Sequence, residues 1–293
     1  MFDLIAITIT QAIPFLLLAL GISISYNVLR ATDMTIDGSF VLGAAVFAKL
    51  VTLGMLPYFA ATAALCCGAL AGAMVATIQR GGRVDSLLAG VLATFILSSI
   101  NLVIMGKPNI NLLSQTTLLS SAFAQNELLG WLETASYTLL LCSIVYVVMR
   151  SHLGLSLRAF GDNPAQLKRL GKNIESYRLA GFALTNTLAA ASGCLTAQTI
   201  GYADIGMGVG MTLTGIGAII LGHQIYIRIY KNRSYRIGSE FAACLLGVLI
   251  YFCSLNILLR LDFNPIYLKM ILGFLLIIFL RTAVTAKTKE VMS

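Results

Sequence analysis

The feature that most constrains this chain is a recurring length. Apolar runs of about 20 residues follow one another from end to end, and a helix of that length crosses a ~30 Å hydrocarbon layer. The runs cover 4–29, 36–53, 56–79, 84–105, 128–149, 179–200, 211–225, 241–259 and 265–280. Only 11% of the 293 residues are charged and 58% are hydrophobic. A soluble domain needs roughly 25% charged residues to cover its surface. This outer surface must therefore face lipid, which excludes a soluble enzyme, a nucleic-acid binder and a secreted disulfide scaffold. The expected fold class is an all-α membrane protein with about nine (eight to ten) transmembrane helices. The short run 211–225, and the run 36–53 that starts in a polar, glycine-containing stretch, are expected to be broken or re-entrant. The whole of 1–293 reads as a single transmembrane domain with one long polar loop, 150–178. The run at 4–29 has no basic residue before it and is too long for a cleavable signal, so it is read as a retained span.

The charges test this layout. With the N-terminus outside, all but Lys49, Lys107, Arg260 and Lys269 of the 20 Lys and Arg residues fall on one side. Cytoplasmic loops collect Lys and Arg, so that side is the cytoplasm and the C-terminus is cytoplasmic. The net charge of +8 follows from topology and does not point to nucleic acid. Asp85 is expected to pair with Arg80 or Arg83, and Asp33 with Arg30. The six cysteines lie within apolar runs and read as packing residues. Ladders of small residues, Ala64-Gly68-Gly72-Ala76 and Ala189-Gly193-Ala197, are expected to pack helices closely.

Chemistry is sparse. The two histidines, His152 and His223, stand apart, and no metal cluster, no paired carboxylates at helical spacing and no nucleophile motif occurs. The pairs Gly106-Lys107 and Gly171-Lys172 both lack the first glycine and the Ser/Thr of a phosphate-binding loop. We expect no catalytic residues, no metal, no cofactor and no ATP hydrolysis by this chain itself. Polar groups within apolar runs are candidates for a translocation pathway, because they are costly in hydrocarbon unless they face a cavity or a partner. They are Asp37 with the adjacent Gly38, Asn101, Asn186 and Gln198. The alternative for each is a helix–helix hydrogen bond. The glycine-rich stretch 201–210 suits either a gate or a turn.

The loop 150–178 is the most informative segment. Gly161-Asp162-Asn163-Pro164 is a turn leading into a helix, with Asn163 as cap and Pro164 in the first position. A two-turn helix over 164–170 is closed by Gly171, and its Leu167 and Leu170 are expected to share a face. Such a capped helix between two spans can present a rigid knob to a partner.

The stretch Gly154-Leu155-Ser156-Leu157-Arg158-Ala159-Phe160-Gly161-Asp162-Asn163-Pro164, continued to Leu170-Gly171, resembles the cytoplasmic coupling loop of ABC importer permeases of the branched-chain amino acid/ribose family. Leu167 stands where that family usually has alanine, and Asn173 separates Gly171-Lys172 from Ile174. Thr32-Asp33-Met34-Thr35-Ile36-Asp37-Gly38-Ser39 is similar to the family's polar motif after the first span. Gly217-Ala218-Ile219-Ile220-Leu221-Gly222 is similar to its later glycine-rich segment, with His223 in place of a glycine. The resemblance implies a bacterial inner-membrane permease of the importer type, working as a homodimer. Its implied partners are cytosolic ABC ATPases and an extracytoplasmic substrate-binding protein. Gly161, Asp162, Asn163, Pro164, Leu167, Leu170 and Gly171 are implied to shape the ATPase contact. The form of the 32–39 motif resembles a subgroup that carries amino acids, aromatic ones included. A self-sufficient secondary transporter is the alternative; it would need intramembrane carboxylates, which here are few.

Overall fold

The computed structural model describes residues 2–230 and 237–261, with isolated positions at 267, 270, 273 and 274. In chain order the elements are α1 (Phe2–Ser23), α2 (Thr35–Thr52), α3 (Pro57–Ile78), α4 (Ser86–Met105), β1 (Asn109–Asn111), α5 (Ser120–Gln125) and α6 (Glu127–Arg150). They continue as α7 (His152–Asp162), α8 (Pro164–Arg169), α9 (Ile174–Ile200), β2 (Tyr202–Asp204), α10 (Met211–Tyr230) and α11 (Ile237–Arg260). A π-helical turn, Ile24–Val28, extends α1. Two compact units result, one of residues 13–213 and one of 1–12 with 214–293.

An all-α membrane architecture is what the apolar runs predict, but the expected count of nine spans is corrected. Among the described residues, seven helices are long and apolar enough to cross a bilayer. The run 211–225 does form a helix, α10, yet His223, Gln224 and Arg228 dilute it and it is not among the seven. The run 265–280 falls almost wholly outside the described residues. Phe59, Leu70, Phe95, Val103, Leu132 and Val147 stand exposed on α3, α4 and α6, a surface that lipid solvates and water does not.

The larger unit is organised around α9. The Ala/Gly ladders prove to be its contact faces. A Cβ on Gly72 would collide with the Phe182 carbonyl, one on Gly43 with the Ala190 carbonyl, and one on Gly193 with the Phe40 carbonyl. Ala64, Ala76, Ala189 and Ala197 are buried in the same seams. Helices α2 and α3 thus lie against α9 at backbone distance, which is how helices attract each other where lipid removes the hydrophobic drive. Across α2 and α4, Gly90 packs on the Met34 backbone and Gly106 lies beside the Lys49 ammonium, so these two helices run parallel. At their far end β1 and β2 pair antiparallel, Asn109 opposite Asp204 and Asn111 opposite Tyr202. Cys142, Cys194 and Cys244 are buried, as a packing role requires, whereas Cys66 is exposed and Cys67 half-buried on α3.

Gly193→Val should therefore cost at least about 1–3 kcal/mol through overpacking against Phe40. Gly238→Ala, where a Cβ meets open space, should be neutral or slightly stabilising. Thermal unfolding of both variants in detergent reads the difference.

Candidate coupling surface and buried polar site

The capped helix α8, two elements after the fifth long helix, forms as its sequence dictates. The Asn163 side chain accepts the Gln166 N–H at 3.2 Å, and Pro164 occupies the first position, where an N–H is not needed. Gly171 takes φ +71°, and the Lys172 N–H closes onto the Leu167 carbonyl at 3.1 Å. That 6→1 bond is the Schellman pattern. The structure separates the two leucines expected to share a face. Leu167 is buried, whereas Leu170, at the C-cap, is 69% exposed. Asp162, Asn163 and Pro164 are exposed beside it, and Gly171 also faces outward. Gly161 is spoken for internally: a Cβ there would strike the Val28 carbonyl.

This knob is braced on several sides. Arg30, held at φ 52°, reaches Asp162 at 2.6 Å. Both side chains are well exposed, so the pair fixes geometry more than it stabilises, at about 0–1 kcal/mol. Arg158 donates to the Met149 carbonyl. At the start of α9, Arg178 pairs with Glu175 at 2.9 Å, donates to the Gln79 carbonyl at 2.9 Å and lies over the Phe160 ring at 5.8 Å. Glu175 also accepts the Gly81 N–H at 3.3 Å. The ends of α1, α3, α7 and α9 are therefore tied together, and Arg30, Arg80, Arg83 and the basic loop gather at one end, as the charge asymmetry requires. Lys49 and Lys107 line a cleft of about 500 Å³ with Asn111, Ser114 and Gln115 at the β1–β2 end.

Two expected ion pairs are corrected. Arg30 is taken by Asp162, and Asp33 turns inward instead. Asp85 caps α4, accepting the Leu87 N–H at 3.1 Å, and makes no salt bridge to Arg80 or Arg83. A carboxylate at a helix N-terminus gains from the dipole without a cation.

Four of the five pathway candidates come together where α2 begins. Asn186 on α9 donates to Asp33 at 2.8 Å and to the Phe182 carbonyl at 2.9 Å, and it accepts from Ser39 at 2.6 Å. Asp33 also accepts the Thr35 N–H at 2.9 Å. Burial pushes the Asp33 carboxyl up from the ordinary carboxylate value, while the bonds from Thr35 and Asn186 pull it partly back. Asn101 on α4 donates to the Gly38 carbonyl at 3.1 Å, and its buried Oδ1 has no partner. Gly38 itself is pressed against Leu97. Asp37 accepts the Gly210 N–H at 3.0 Å and both the N–H and hydroxyl of Thr212 at 2.6 Å. Gln198 stands apart, three helical turns (about 18 Å) beyond Asn186 on α9. There it accepts the Leu118 N–H at 3.1 Å and pins the segment after β1. Sequence reasoning missed Asp33, Ser39 and Thr212 as members of this network. The 32–39 motif held the first two, but only the fold reveals that Asn186 and Thr212 meet it.

No group of three or more His, Cys, Asp or Glu among the described residues could hold a metal ion.

A family model described as the permease component of the branched-chain amino acid transport system matches residues 4–280. An uncharacterized protein of Rickettsia prowazekii is 44% identical over 94% of this chain and 96% of its own. A tyrosine transport system permease protein of Clostridioides difficile is 33% identical, covering 93% of this chain and 89% of its own. A ribose import permease protein of Escherichia coli K12 is 23% identical over 74% and 67% respectively. No solved structure matches the chain.

Asn186→Leu should remove the α9 partner of Asp33 Oδ2 and of the Ser39 hydroxyl and cost about 1–3 kcal/mol for each buried group left unpaired. A raised native pKa at Asp33 means its contribution to stability is full below the unfolded carboxylate range and is lost as pH rises through the elevated native value. Asp33→Asn should flatten that part of the stability–pH curve, which chemical unfolding in detergent between acid and neutral pH measures.

Proposed function

Because the chain belongs to the branched-chain amino acid permease family of ABC transporters, we propose that it is the membrane subunit of an importer that carries an amino acid, driven by ATP hydrolysis on a separate chain. The observation that carries this reading is the capped helix α8, exposed at its tip and set beside α7, which is braced to the turn after α1 and to α9. A permease without catalytic groups must receive its energy as a rigid-body displacement. A two-turn helix locked at both ends, and tied to several spans at once, transmits such a displacement without absorbing it.

On this reading Asp162, Asn163, Pro164 and Leu170 face the ATPase. Gly161, Leu167 and Gly171 hold the knob in shape, Gly161 by close approach to Val28 and Leu167 by burial. An extracytoplasmic binding protein delivers the solute to the opposite end, where β1 and β2 pair. Two copies of the chain enclose the pathway, and its C-terminus lies in the cytoplasm of a bacterial cell with the protein in the inner membrane. Asp37, Gly38, Asn101 and Asn186 lie along the pathway wall, with Gln198 nearer the outer end. The amino-acid assignment rests on the relative named for tyrosine transport, which aligns over nearly the whole of both chains. It also rests on the form of the 32–39 motif. The relative named for ribose import is more distant and covers less of this chain.

Co-expression with the ATPase encoded nearest to it, followed by uptake of labelled tyrosine and ribose in the presence of the cognate binding protein, tests the reading. Tyrosine uptake dependent on ATP and on both partners is the expected result. Uphill uptake by the purified chain alone on an ion gradient would refute it. Leu170→Asp changes an exposed position and should leave folding intact. It should lower transport-coupled ATPase activity by roughly tenfold or more, equivalent to about 1.4 kcal/mol. Leu167→Asp should instead destabilise the loop, because it places a charge in a buried site.

A further inference from the structure

The segment after β2 does not stay at the end of the protein where β2 pairs. The Ile205 N–H donates to the Pro108 carbonyl at 3.0 Å, which keeps the start of the segment beside β1. Three residues later Gly208 lies on the Asp37 carbonyl and the Val41 side chain, so close that a Cβ there would collide with both. Gly210, at φ +79°, then turns the chain into α10. Asp37 lies in the first turn of α2, whereas β1 and β2 sit beyond the C-terminal ends of α4 and α9. The segment 205–210 therefore folds back along α2, and α10 begins deep in the protein.

We propose that residues 205–210 form a strap over the outer side of the translocation pathway, latched by Asp37 and opened during transport. The proposal rests on the permease reading above and adds to it a moving part. Non-helical backbone at membrane depth persists only where protein satisfies its polar groups. Here a single carboxylate accepts three hydrogen bonds from the far end of the strap, from Gly210 N–H, Thr212 N–H and Thr212 Oγ. Gly206, Gly208 and Gly210 bring no side chains and Val209 is exposed, which leaves Met207 as the strap side chain that packs on the core. Segments with few apolar contacts open at low free energy. The strap covers Val41, only 4% exposed. Beside the latch lie Gly38, Ser39, Asn101 and Asn186, the polar groups that a passing solute would meet. Release of Asp37 uncovers the face of α2 that carries Asp37 and Val41.

Val41→Cys in a background without the six native cysteines reports on the strap. The cysteine is labelled with a membrane-impermeant maleimide in right-side-out vesicles. It should be protected when Asp37 and Thr212 are intact. Asp37→Ala should raise the labelling rate roughly ten- to hundredfold, the loss of three modest hydrogen bonds. Thr212→Val, which keeps the side-chain volume and removes one donor, should give a smaller rise. That conservative variant keeps the test sound should Asp37→Ala fail to fold. Rapid labelling with the latch intact, or equal protection in both latch variants, would overturn the proposal. So would a rate that is the same in the nucleotide-free and ATP-trapped complexes with the ATPase. Labelling that responds to Asp37 in a chain to which no ATPase binds would refute the permease reading and leave the strap standing.

Discussion

Everything in the larger unit depends on the distance at which α2 and α3 pack on α9. In lipid an apolar side chain gains little by touching another helix, so attraction must come from dispersion at short range and from polar bonds made on contact. Gly43, Gly68, Gly72 and Gly193 remove the Cβ atoms that would hold the backbones apart. The close approach also places Asn186 within reach of Asp33 and Ser39, which arise from the link before α2 and from α2 itself. With larger residues in these seams, the buried carboxyl of Asp33 would lose its α9 partner. Packing therefore comes first, and the polar network is made possible by it.

The same helix joins the brace beneath α7 and α8 to the polar site. Its first turns carry Glu175 and Arg178, which hold the α3–α4 turn and the Phe160 ring. Two turns further along, Asn186 holds the start of α2. A push delivered to α7 and α8 thus meets a continuous rigid element, not a chain of surface contacts. Interfaces of this density shift between arrangements and do not deform smoothly.

Much of this was legible from the sequence because bilayer physics leaves few solutions. Apolar run length announced the seven long helices, although it also offered 211–225, which is not among them, and 265–280, which lies almost wholly outside the described residues. The loop helix declared itself through local chemistry, with Asn163 capping, Pro164 in the first turn and Gly171 in the left-handed region. Long-range pairing was not legible. Arg30 bonds to Asp162, 132 positions away, rather than to nearby Asp33, because the π-turn and the left-handed Arg30 swing the side chain toward α7. Nothing local marks Thr212 as a partner of Asp37, since the two meet only after the chain folds back along α2. Leu167 and Leu170 were read as one face because helical spacing places them so. The helix ends between them, and one is buried while the other is free.

The acidic side chains bear on where the driving force comes from. A carrier driven by an ion gradient needs intramembrane carboxylates able to bind and release the coupling ion. Here Asp37 is held by the amino end of α10, Asp33 by Asn186 and Thr35, Asp85 by its own helix, and Glu240 by His223 at 2.9 Å. Each of these groups already has structural work. The part of the protein with exposed, pre-shaped and well-braced residues is instead the knob formed by α7 and α8. A surface organised for contact at one end, and carboxylates organised for structure within, together support the proposal that energy is delivered mechanically from a partner chain and not drawn from an ion bound inside this one.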